Sequence, residues 1–179
     1  MLDFGDFVFA APPSHGAHRF LKWCDTVGLK VERESYFEDP PLPDYKEKLI
    51  VTVVCHPCAW LDYYFTTMKD FPIGVREVDA FRMLNSWNME TFVTDYLQRL
   101  PGAVGKMWEV YRADTCLREE GMPWNVLEFF ASLNVSVAPQ VRENMRVSVR
   151  HVPVFGESGL WHKVMEAEKE FCKHFEYYV

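Results

Sequence analysis

The sequence predicts an α/β layer fold with a mainly parallel central sheet flanked by helices. Three observations predict it. Strand-like and helix-like segments alternate along the chain. Leu49 to Val54 (LIVTVV) is a continuous apolar run rich in β-branched residues, the pattern of a strand buried on both faces. Two loops, PPSHGAH and CHPC, each stand between a strand and a helix, where ligands of parallel sheets bind.

The elements follow in order. Asp6 to Ala11 (DFVFAA) is a short buried strand, and Pro12, Pro13 and Gly16 then force a loop. From Ala17, the residues Phe20, Trp23, Cys24 and Val27 fall at helical spacing, with Gly28 placed to end the helix. Leu29 to Glu34 alternates like a strand, and Phe37 to Lys48 is a proline-rich exposed loop. After the LIVTVV strand, Pro57 opens a helix, where its missing N–H is not needed. Met89 to Leu100 is a strong helix ended by Pro101-Gly102. Ala103 to Arg112 is mixed, Thr115 to Arg118 is a short strand, and Pro123 opens another helix. Ser136 to Val154 is ambiguous. The last helix begins near Leu160 and carries Trp161, Val164, Met165, Glu168, Phe171, Cys172 and Phe175 on one stripe.

Composition bounds the function. At 179 residues the expectation is one domain, 1–179, with a core that needs neither disulfide nor metal. The net charge of −7 disfavours nucleic acid and other polyanions as partners. No run is apolar for the roughly 18 residues a spanning helix needs. The opening MLDFGDFVFAAPP has acids where a secretory signal is basic, so the expected location is cytoplasmic. The five cysteines, Cys24, Cys55, Cys58, Cys116 and Cys172, are an odd number in a chain of ordinary size, and structural disulfides are not expected.

The first loop, Ala10 to Phe20 (AAPPSHGAHRF), suits an anion. A glycine lets the backbone approach closely, and a helix N-terminus adds partial positive charge. Ser14, His15 and His18 offer side-chain donors, and Arg19 follows. No Walker pattern is present, and an ordinary strand-to-helix turn explains the same residues. The CHPC of the second loop reads as a redox dithiol at a helix N-terminus, which would depress its thiol pKa values. The chain around it is not thioredoxin-like, and as a zinc half-site it has no second CxxC or HxxxH. Tyr63 and Tyr64 lie at core-packing spacing.

Taken together, the segments resemble the sulfotransferase family. FVFAAPPSHGAHRFLKWCDTVGL resembles its opening strand, PKSGTTWL-like loop and helix. KLIVTVVCHPCAWLDYYF resembles its second motif, roughly RNPxDxxxSYY. TCLREEGMPWNVLEFFASLNV resembles its R-x-E-D/N-L strand and following helix, and AEKEFCKHF its last helix. The resemblance covers most of the chain, in order. It implies a three-layer P-loop-type fold, 3'-phosphoadenosine 5'-phosphosulfate (PAPS) as donor, and a small-molecule or sugar hydroxyl as acceptor, with no metal. By position, Ser14, His15, Gly16, Ala17, His18 and Arg19 would hold the 5'-phosphosulfate. His56 and Tyr63 would serve the 3'-phosphate. His15 or His18 would stabilise the transferring group or act as base.

The departures are substantial. The family's basic residue in the first loop falls on Ser14, and its arginine in the second motif falls on Cys55. A charge-assisted hydrogen bond to phosphate is worth about 1.5–3 kcal/mol, so losing two weakens donor binding by a few powers of ten unless something replaces them. Three functions therefore follow as expectations. The first is a PAPS-dependent sulfotransferase. The second is the same fold without that activity, serving as a binding or interaction module. The third is a thiol oxidoreductase using Cys55 and Cys58. Arg118 with Glu119 and Glu120 reads either as a buried support near the sheet or as a surface ion pair worth little.

Overall fold

A computed structural model describes residues 1–34, 47–68, 81, 84, 86–146 and 159–177. The expected loop over 37–48 falls largely outside these residues, as does the later part of the ambiguous region 136–154. The chain forms two compact units. One comprises Met1–Cys55 and Val110–Arg150, the other His56–Glu109 and His151–Val179.

The first unit holds the sheet. Its strands are β1 (Leu2–Asp3), β2 (Phe7–Phe9), β3 (Arg33–Glu34), β4 (Leu49–Val54) and β5 (Thr115–Arg118), in the spatial order β3-β1-β2-β4-β5. β2 pairs with β4 and β4 with β5 in parallel, whereas β1 pairs antiparallel with both β2 and β3. The sheet is therefore mixed and not mainly parallel. The reason is local. Gly5, at φ +85°, turns the chain straight back, and its N–H is held by Asp3 Oδ1 at 2.9 Å. So tight a turn can join only antiparallel strands. The opening Leu2–Asp3 is too short to carry a period that would mark it as a strand.

Helix α1 (His15–Thr26) packs on β4, and α5 (Trp124–Ser132) packs on β5. Phe7, Phe9, Phe20, Val51, Val53, Leu117, Phe129 and Phe130 make the core between them. Phe7 meets Phe129 edge-on at 5.1 Å, and Phe9 stacks on Phe20 at 4.8 Å. α6 (Pro139–Arg146) resolves part of the ambiguous stretch as a helix.

The second unit is helical. It contains α2 (Pro57–Tyr63), extended by a π-turn over Tyr64–Met68, then α3 (Met89–Arg99), α4 (Ala103–Glu109), α7 (Leu160–Ala167) and α8 (Lys169–His174). Its core is aromatic: Trp60 packs edge-on against Phe81 at 4.8 Å, and Tyr64 stacks with Phe92 at 5.8 Å. The expected single last helix is broken at Glu168, which caps α7 and opens α8. Among the described residues no helix is long and apolar enough to cross a membrane.

Candidate functional site

The head of α1 is built from short side chains. Ser14 has extended backbone angles, and its buried hydroxyl accepts from the Ala17 N–H at 3.0 Å, an N-cap that fixes where the helix begins. The Ser14 carbonyl accepts from the His18 N–H at 3.1 Å. The next group is supplied from far along the chain. β2, β4 and β5 run parallel, so their carboxyl ends lie on one side of the sheet. Glu119 follows β5 directly, in a 3₁₀ turn over Glu119–Gly121, and α1 follows β2.

Glu119 reaches the head of α1 with both oxygens. Oε2 accepts from the Gly16 N–H at 2.9 Å, and Oε1 accepts from Arg19 Nη2, also at 2.9 Å. The side chains of Glu119 and Arg19 are 11% and 25% exposed, so the pair is shielded more than a surface bridge. Gly16 is needed for the approach: a Cβ there would lie 2.8 Å from Glu119 Oε2 and 2.8 Å from Val53 Cγ1. A carboxylate favoured by helix dipole and guanidinium thus stands where an anionic ligand would sit. Arg19, a candidate phosphate contact, points to this carboxylate. His15 is half-buried and His18 is exposed, both on the first turn.

In the same unit, Cys55 is 1% exposed, and its thiol is pushed well above the ordinary range, first by burial and then by the charges of Glu119 and Glu120.

The remaining predicted residues belong to the second unit. His56 is the N-cap of α2; its Nδ1 accepts from the Cys58 N–H at 3.2 Å. Its ring stacks on Trp161 at 4.4 Å and meets Tyr177 edge-on at 5.4 Å. Burial lowers its pKa to about 4, so at neutral pH it carries no positive charge to offer a phosphate. Tyr63 is 1% exposed, inside the core of this unit, as its helical spacing implied. Cys58 is fully buried, and burial followed by the nearby Cys172 and Glu168 raises its thiol pKa strongly. A redox CxxC needs an accessible thiol of lowered pKa. Cys55 and Cys58 are each buried, each free and each shifted the opposite way.

Reading the sequence set Glu119 against Arg118 and missed its contact with Gly16. A signal was present: an acid immediately after the carboxyl end of a strand parallel to the one that feeds a glycine loop. Arg142 lies on the exposed side of α6, while the Arg146 side chain and residue 150 are outside the described residues. Against known proteins, no family model, no curated protein and no solved structure matches the chain.

Proposed function

We propose that this chain is a sulfotransferase-like α/β protein of the P-loop type that works as a binding module and does not transfer a sulfuryl group. One observation carries the reading: Glu119 takes up the Gly16 N–H and the Arg19 guanidinium. Those are the donors that a phosphosulfate would require at this loop. A dianionic group brought to the same place meets a carboxylate, and like charges a few ångströms apart repel strongly in a half-buried setting. The missing basic residues at Ser14 and Cys55 act in the same direction.

The second reading is transfer of a sulfuryl group from PAPS to a small-molecule or sugar hydroxyl. It is favoured by the placement of Ser14, His15, Gly16, Ala17 and His18 at the head of a helix, directly beyond a parallel strand. In that reading Glu119 withdraws when donor binds, and His15 or His18 accepts the acceptor's proton.

Thermal-shift titration with adenosine 3',5'-bisphosphate, the product left by PAPS, separates the two. A ligand that binds only the folded state raises the midpoint by an amount set by RT ln(1 + [L]/Kd). We expect no saturable rise with the wild-type chain at millimolar ligand, with ATP and GTP as controls. A saturable rise, lost when Gly16 is replaced by a bulky residue, would overturn the binding-module reading and restore the transferase.

A further inference from the structure

We propose that the groove between α1 and α6 binds a small organic anion with a flat apolar body, of the aryl phosphate or aryl carboxylate class. This site shares Arg19 with the head of α1 but otherwise uses other residues, and it does not depend on a nucleotide donor. The groove encloses about 410 Å³, a volume within the ordinary range of small-molecule sites. It lies wholly within the first unit.

The helical repeat builds it. Arg19, Lys22, Trp23 and Thr26 fall at three- and four-residue steps on one face of α1, and Val141, Asn144 and Met145 do the same on α6. The floor is apolar: Trp23 is 8% exposed and Met145 1%. The rim is donor-rich, and among the described lining residues Lys22 is the cation not already paired with a carboxylate. Arg19 gives one N–H to Glu119, and a guanidinium has four more. The exposed Lys22 ammonium and the exposed Asn144 amide have no hydrogen-bonding or ionic partner among the described residues. No carboxylate is among the described lining residues, although the chain as a whole carries −7. Local positive charge over an apolar floor selects an anion with a hydrophobic body over either part alone. The indole of Trp23 favours an aromatic body, since flat rings pack against flat rings.

Isothermal titration of the full chain with 1-naphthyl phosphate tests this, with 1-naphthol and inorganic phosphate as the separate halves. Saturable one-to-one binding of the ester is expected, at least tenfold tighter than either half. Lys22→Glu and Asn144→Asp change exposed side chains, so the fold should persist with unchanged melting midpoints. Each should weaken the ester at least tenfold and leave 1-naphthol unchanged. The proposal is overturned if naphthol binds as tightly as its phosphate. Affinity untouched by both substitutions would also overturn it, because the anion would then be held elsewhere, as at the head of α1. So would the absence of saturable heat at millimolar ester.

Discussion

Gly16 has no room for a side chain, and that single restriction ties three elements together. Its N–H faces Glu119, its Cα faces Val53 of β4, and its helix carries Arg19 to the other carboxylate oxygen. Gly16→Ala should therefore destabilise by about 1–3 kcal/mol, the usual range for forcing a methyl into a packed site. Alanine's better helix propensity offsets up to about 1 kcal/mol of that. Chemical denaturation measures the difference, and a variant as stable as wild type would refute this account of the close contact. The sequence reads Ser14 and Gly16 as loop, whereas Ser14 caps a helix that already contains Gly16. The carboxylate that fills the cradle lies 103 residues away, and only the parallel pairing of β2, β4 and β5 brings it there.

At the scale of elements, Glu168 explains why one apolar stripe became two helices. Its side chain is 2% exposed and turns inward, where Oε1 accepts from Val104 N–H at 3.1 Å and Oε2 from Gly105 N–H at 2.7 Å. The Tyr96 hydroxyl donates to Oε1 as well. The carboxylate thus meets the first turn of α4 and α3 together, and the backbone breaks from α7 to α8 around it. All three partners are donors, so Glu168→Gln turns an amide NH₂ toward a donor. A buried hydrogen bond left unmade costs about 1–3 kcal/mol, and the melting midpoint should fall accordingly. A Glu168→Gln midpoint equal to wild type would mean that the carboxylate is not what joins α3, α4 and the α7–α8 break. The 3.6-residue period placed Glu168 on the buried stripe correctly. It could not say that a charged residue there would seek backbone donors in another helix.

For the whole molecule, the pH dependence of stability should carry the mark of His56. Its pKa falls from 6.5 to about 4 on folding because burial disfavours the imidazolium. A depressed pKa means that the unfolded chain binds the proton more readily. The contribution of His56 is then fully present above pH 6.5 and is lost as pH falls from there towards 4. Glu168 acts in the opposite sense. Burial raises its pKa, so its contribution is greatest below its ordinary value of 4.5 and declines as pH rises. Comparing wild type with His56→Asn, which keeps a helix-capping side chain, isolates the histidine. The stability difference between pH 7 and pH 5 should be smaller in the variant. Parallel pH profiles for the two proteins would show that His56 titrates in the folded chain much as it does in the unfolded one.

The sequence by itself determined where most elements lie. Leu49–Val54, Met89–Arg99 and Thr115–Arg118 fall within a residue or so of their predicted bounds, because period, β-branching and Pro-Gly punctuation act over a few residues. It placed the start of α1 at Ala17 after a glycine loop, whereas the helix begins at His15 and takes in Gly16. The tertiary structure alone decided that β1 turns the sheet mixed, that the chain parts into two units, and that Cys55 and Cys58 are each buried. It also decided that Glu119 meets the first turn of α1. Apart from the Gly5 turn that reverses β1, these depend on which distant groups share a buried neighbourhood. Burial and charge pairing are properties of that neighbourhood, and no local run of residues encodes them.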